Sequence, residues 1–211
     1  LTAAYGVPRA KVAVLPNGVD LDRFRPLPPD PARRAALGLE GRRVILAPTR
    51  LVPRKGVDRL IAAMPAVRAR MPEALLLVAG EGPQRGGLDA LAATCGGHDA
   101  IRFAGAVPPA EMPALYAVAE IVALPNRADP GESDGVPLVF LEANACGRPV
   151  IGGRAGGTPE VVTDGVNGLL VDGEDSDAIA AAVLRVLDDP ALAARLAAGG
   201  LAAARDAGWP A

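Results

Sequence analysis

A chain of 211 residues, 50% of them hydrophobic, can bury one large core or two small ones. With 22 basic against 24 acidic residues the formal charge is −2, so no basic field points to nucleic acid or an anionic membrane. Aromatic residues, at 3%, are too few for base-stacking platforms, and no apolar run reaches the roughly 18 residues of a membrane span.

Cys95 and Cys146 make neither a disulfide framework nor a metal-ligand spacing, which fits a soluble protein of the reducing cytoplasm. The chain opens on Leu1 without an initiator Met and ends on Gly208-Trp209-Pro210-Ala211, which reads as a piece of a longer protein.

Residues 12–15 are a short apolar segment, followed by the turn Pro16-Asn17-Gly18-Val19-Asp20. The proline-rich stretch 26–31 reads as a linker into a short helix at about 31–37. From there the pattern is regular. Apolar strands are expected at 43–47, 75–79, 101–104, 121–124, 149–152 and 168–171. Between and after them come helices at 57–71, 88–94, 110–118 and 137–146, a helical turn from Pro159, and helices at 176–188 and 190–206. In the first of these, Val57, Leu60, Ile61, Met64 and Val67 recur at helical spacing.

Such alternation predicts βαβ units: a doubly wound, Rossmann-like α/β domain with six parallel strands and helices on both faces. Residues 1–38 read as a lead-in segment and linker, and 39–211 as the sheet domain. A ligand is expected beyond the carboxyl ends of the strands, so the loops after residues 47, 79, 104, 124 and 152 carry the interest.

The first of these loops places Arg50, Arg54 and Lys55 within six residues of each other, directly before a helix. Arginine forks onto two oxygens and lysine supplies a point charge, so the loop suits a diphosphate; the plain alternative is a solvated loop. Gly80-Glu81-Gly82-Pro83 reads as a tight strand exit, because a dinucleotide fingerprint would need G-x-G-x-x-G after the first strand. In the loop after residue 124, Asp134 can cap a helix, Gly135 permits a tight backbone, and Pro137 suits the first helical position. The free N–H groups and positive dipole end of that helix favour an anion.

Glu142 lies inside an apolar run, so it is either on a solvent face or buried with partners, since burial alone costs several kcal/mol. Asp134 and Glu142, eight positions apart, can together accept hydrogen bonds from several hydroxyls. Further on, Gly156-Gly157-Thr158-Pro159-Glu160 is a second glycine turn in which Thr158 can cap, Pro159 can start the helix, and Glu160 reads as structural. His98 reads as a surface turn residue, Ser133 and Ser176 have no base near them in sequence, and no cluster has metal-ligand spacing.

The run from Asp134 to Glu142, with Ala143-Asn144-Ala145-Cys146-Gly147-Arg148-Pro149-Val150 after it, resembles the E-x7-E region of retaining GT-B glycosyltransferases, family 4 in particular. Asp134 stands where that family usually has Glu. Arg50-Leu51-Val52-Pro53-Arg54-Lys55-Gly56 is similar to the family's G-R-L-x-x-x-K-G diphosphate loop, with Thr49 in place of the usual Gly. Gly156 to Glu160 resembles its G-G-x-x-E segment, and the motifs keep the family's order from Pro16 onward.

The resemblance implies that residues 39–211 form the donor-binding half of such an enzyme, and that 1–38 lead in from its own N-terminal acceptor domain, absent here. It implies that Arg50 and Lys55 hold the diphosphate, Glu142 the ribose and Asp134 the sugar. Main chain at Gly105 and Val107 would hold the base, and Gly135, Leu138, Val139 and Gly157 would complete the nucleotide-sugar contacts. The implied reaction transfers a hexose from a nucleoside-diphosphate sugar of UDP or GDP type with retention, without cofactor or metal. These residues alone would bind nucleotide without transferring sugar.

Two other readings share the sheet. One is a dinucleotide-binding oxidoreductase domain, which the missing fingerprint and the lack of an acidic ribose ligand after the second strand disfavour. The other is a non-catalytic nucleotide-binding module.

Overall fold

Six apolar runs form the strands β1 (Arg43–Pro48), β2 (Ala74–Ala79), β3 (Ile101–Gly105), β4 (Ile121–Leu124), β5 (Val150–Gly153) and β6 (Gly168–Val171) in a computed structural model that describes residues 5–13, 15–128 and 135–209. Every residue of β2, β4 and β5 is buried, as continuous apolar strands must be when both sheet faces are covered. All five pairings are parallel, in the order β3-β2-β1-β4-β5-β6, with β1 and β2 in register from Arg43↔Ala74 to Pro48↔Ala79. The chain thus winds outward from β1 to β3, returns, and winds outward again from β4 to β6. The crevice opens where those directions diverge, at the carboxyl ends of β1 and β4.

The helices are α1 (Pro31–Ala36), α2 (Val57–Arg70), α3 (Arg85–Thr94), α4 (Gly97–Ala100), α5 (Met112–Ala117), α6 (Leu138–Ala145), α7 (Thr158–Val161), α8 (Ser176–Asp188) and α9 (Pro190–Asp206). The stripe Val57, Leu60, Ile61, Met64 and Val67 is buried, and α2 packs against α3 and α8, while α6 packs against α9. Helices α8 and α9 start where carboxylates cap them: Asp175 accepts from the N–H groups of Asp177 and Ala178, and Asp189 from those of Ala191 and Leu192.

Four local expectations are corrected. The third helix begins at Arg85 rather than residue 88, and His98 is exposed on the single helical turn α4 rather than in an open turn. Pro137 occupies the N-cap, not the first helical position: its extended backbone (φ −75°, ψ 100°) lets its carbonyl accept from the Phe140 N–H at 3.1 Å. Thr158 is the first residue of α7 and does not cap it; its hydroxyl is buried and finds no partner among the described residues.

The stretch around Val19 is docked onto the end of α9. The Val19 N–H donates to the Ala207 carbonyl at 3.0 Å, and the Trp209 N–H donates to the Val19 carbonyl at 3.1 Å. Val19 and Phe24 are buried in the same core as the sheet. Among the described residues, no helix is long and apolar enough to cross a membrane.

Candidate functional site

Five loops converge at the carboxyl edge of the sheet because glycines let their backbones touch. A Cβ on Gly80 would lie 1.9 Å from the Thr49 carbonyl oxygen, and one on Gly82 would lie 2.5 Å from that of Leu51, so the exits of β1 and β2 are laced together. The Leu51 N–H donates to the Glu81 carbonyl at 3.0 Å across the same seam. On the other side, Cβ atoms on Gly56, Gly153 and Gly173 would each collide with the carbonyls of Pro125 or Asn126, the exit of β4. A Cβ on Gly157 would meet the backbone of Gly135 and Val136 at 2.8–3.0 Å, which stacks the two glycine turns on each other.

The third strand ends in an irregularity that serves the site. Pairing skips a residue, so that Ala79 lies opposite Gly105, whose φ of +70° suits glycine. The Gly105 carbonyl accepts from the Gly80 N–H at 2.7 Å, and the chain then turns Ala106 and Val107 into the crevice.

These contacts enclose a cleft of about 410 Å³ lined by Thr49, Arg50, Glu81, Val107, Val139 and Glu142 among others. Arg50 is exposed there and Glu142 is half-buried. Of the residues singled out from the sequence, Arg50, Val107, Val139 and Glu142 therefore share one cavity, and Gly105 shapes its rim. Lys55, half-buried, closes a tight turn at Pro53–Lys55 on the same loop but is not part of this lining. Gly135, Leu138 and Gly157 lie at the start of α6 and on the turn stacked against it, outside the lining. Asp134 lies outside the described residues. Glu160 is exposed and borders a separate hollow with Pro16, Asn17 and Val136.

Glu142 takes the second of its two sequence readings, burial with a partner. The Tyr116 hydroxyl donates to its Oε2 at 2.7 Å. Burial pushes the Glu142 carboxyl above the usual range, opposed by that hydrogen bond and by the charge of Arg23. Tyr116 is pushed well above the ordinary phenol value, first by its own burial and then by the adjacent carboxylate. Cys146 is pushed up to about 12 by burial, which makes it an inert thiol.

A carboxyl whose folded pKa is raised stabilises the fold below its unfolded value, and this is lost as pH rises through the folded value. At neutral pH the Glu142 charge therefore opposes folding. Glu142→Gln should unfold at a higher temperature than the parent at pH 7, with the difference shrinking towards pH 4 in parallel thermal melts.

Sequence reasoning missed part of the wall. Arg23 and Phe24, in a stretch read only as lead-in, line the cleft, and Arg23 lies 4.8 Å over the Phe24 ring while its Nη2 donates to the Pro109 carbonyl. Glu81, in the turn read as a strand exit, also faces the cleft. The sole signal for Phe24 was one of only three phenylalanines, set between two arginines. Among the described residues, no three His, Cys, Asp or Glu side chains converge as a metal cage requires.

A doubly wound sheet with a crevice at its switch point, a basic loop on one side and an acid on the other defines a domain of the kind that holds nucleotides. The chain belongs to the family described as "Glycosyl transferases group 1", whose sequence profile matches residues 30–201. It is 44% identical over 201 residues to a GDP-mannose-dependent alpha-(1-6)-phosphatidylinositol monomannoside mannosyltransferase of Mycolicibacterium smegmatis, a match covering 94% of this chain and 52% of that protein. A D-inositol 3-phosphate glycosyltransferase of Segniliparus rotundus is 37% identical over 216 residues, covering 100% and 47%. Among solved structures, Anabaena HepE in complex with UDP superposes with a TM-score of 0.84 at 27% identity, covering 96% of this chain and 55% of that one. The C-terminal domain of the group 1 protein LpcC from Francisella tularensis gives 0.78 at 26% identity, covering 90% of this chain and 97% of that one. The fold is thus a Rossmann-like domain that matches GT-B glycosyltransferases over part of their length, and the chain spans about half the length of the curated relatives it matches.

Proposed function

We propose that this chain is the donor-binding half of a retaining family 4 hexosyltransferase, and that its cleft holds a nucleoside-diphosphate sugar. The observation that carries this is the convergence of Arg50, Val107, Val139 and Glu142 in one cavity at the switch point. In this reading the base lies against main chain at Gly105 and Val107, and the ribose hydroxyls donate to Glu142, an acceptor when ionised. The diphosphate meets Arg50, Lys55 and the N-terminus of α6, which also stabilise the charge that gathers on it as the sugar departs. Asp134 takes the sugar hydroxyls.

Guanine is the favoured base, because the 44% identical relative is named as GDP-mannose-dependent; a UDP-sugar is the second reading, supported by the UDP complex of HepE. The acceptor surface and the wall that excludes water belong to the opposing half of a cytoplasmic enzyme, so this chain alone binds nucleotide and does not transfer sugar.

A thermal-shift panel with GDP, UDP, ADP and NAD tests the reading. GDP should stabilise most, by about 2.7 kcal/mol at a hundredfold excess over its Kd. A shift with NAD and none with GDP or UDP would replace the glycosyltransferase reading by the oxidoreductase one.

A further inference from the structure

We infer that Tyr116 is the positioning residue for Glu142: its hydroxyl clamps one carboxylate oxygen so that the other faces the cleft as a fixed hydrogen-bond acceptor. This rests on the proposal that Glu142 receives a ribose hydroxyl.

Tyr116 is fully buried, and a buried phenol hydroxyl needs a partner. The partner it has is Oε2 of Glu142, at 2.7 Å, 26 residues further along the chain. The ring cannot swing away, because Phe24 meets it edge-on with centroids 6.1 Å apart and planes at 67°. A free glutamate loses rotamer entropy when a ligand fixes it. Here that loss is already incurred on folding, which is how a preformed site gains affinity. Tyr116 sits on α5, whose first residue Met112 lines the same cleft. The helix that forms the wall therefore also holds the acid. Phenylalanine would fill the same space, so packing alone does not call for the hydroxyl.

The groups facing Glu142 are Tyr116 on α5, Arg23 on the lead-in segment, and Cys146 beyond its own helix. Arg23 and Tyr116 both favour the ionised form; of these, only Tyr116 holds the carboxylate by a direct hydrogen bond.

The test is a double-mutant cycle of Tyr116→Phe and Glu142→Ala on this chain, with GDP and then UDP as titrants, and a ligand-free titration of the Glu142 side-chain carbon by NMR. Tyr116→Phe should bind nucleotide about tenfold more weakly, and should add nothing in the Glu142→Ala background. It should also move the Glu142 titration to higher pH, which a packing role would not do. Full additivity in the cycle, or an unmoved titration, overturns the inference. Weaker binding by Glu142→Ala with parental binding by Tyr116→Phe overturns it while leaving the ribose contact standing. Parental binding by Glu142→Ala removes the ribose contact and this inference together.

Discussion

Gly153→Ala is expected to destabilise the fold by roughly 4 kcal/mol or more, the far end of what single substitutions do. Gly153 ends β5, fully buried, and its new Cβ would stand 1.8 Å from the Asn126 carbonyl oxygen and 2.6 Å from the Asn126 nitrogen. Neither atom can yield, because both belong to main chain that Gly56 and Gly173 press from other sides. The strands β4 and β5 must separate or the exit of β4 must move, and that exit leads into the loop before α6. For a chain of this size the thermal midpoint should fall by roughly 8–16 °C. Gly86→Ala and Gly87→Ala are the controls: both lie exposed on α3 with nothing within 4 Å of an added Cβ. Each should be neutral or stabilising by up to about 1 kcal/mol. A Gly153→Ala protein melting within a few degrees of the parent would show that the close approach of β4 and β5 is not required.

Arg50→Ala and Lys55→Ala should each weaken GDP or UDP binding by one to two decades, the effect of about 1.5–3 kcal/mol per charge-assisted hydrogen bond. The loop that carries them leaves β1 at Pro48, so its position is fixed by a strand paired on both edges. Gly56, in a left-handed conformation with φ +66°, turns that loop directly into α2. Arg50 lines the cleft and Lys55 ends the short turn that follows it, so in the proposed reading each cation would meet the diphosphate from its own place on the loop. Both losses should shrink for the nucleoside without phosphates. Isothermal titration with GDP, UDP and guanosine measures this, and parental affinity in both variants would remove the loop from the site.

The elements were legible where local chemistry agreed with burial. Helices at 176–188 and 190–206 appear as read, since an aspartate caps each and an apolar stripe follows. The strand at 121–124 is equally plain, four apolar residues between a helix and a proline. Errors arose where a single residue type allows two neighbouring positions. Proline tolerates both the N-cap and the first turn, and only the Pro137 backbone angles decide between them. In the site, Arg50 was legible because charge clusters before a glycine turn. Tyr116 was not, because its meaning is a hydrogen bond to a residue 26 positions away, and a tyrosine in the apolar Leu115-Tyr116-Ala117 reads simply as core.

The docking of the lead-in segment bears on how such domains can be exchanged. The family match runs over residues 30–201, which would be the natural unit to cut and graft. Yet Arg23 and Phe24, which wall the cleft, and the Val19 contacts to Ala207 and Trp209 all fall outside those limits. A chimera joined at the match boundaries would inherit the sheet while borrowing one side of its cleft, and the phenyl edge against Tyr116, from a foreign sequence. The portable unit is the longer one, in which both ends of the chain segment travel together as a clasp.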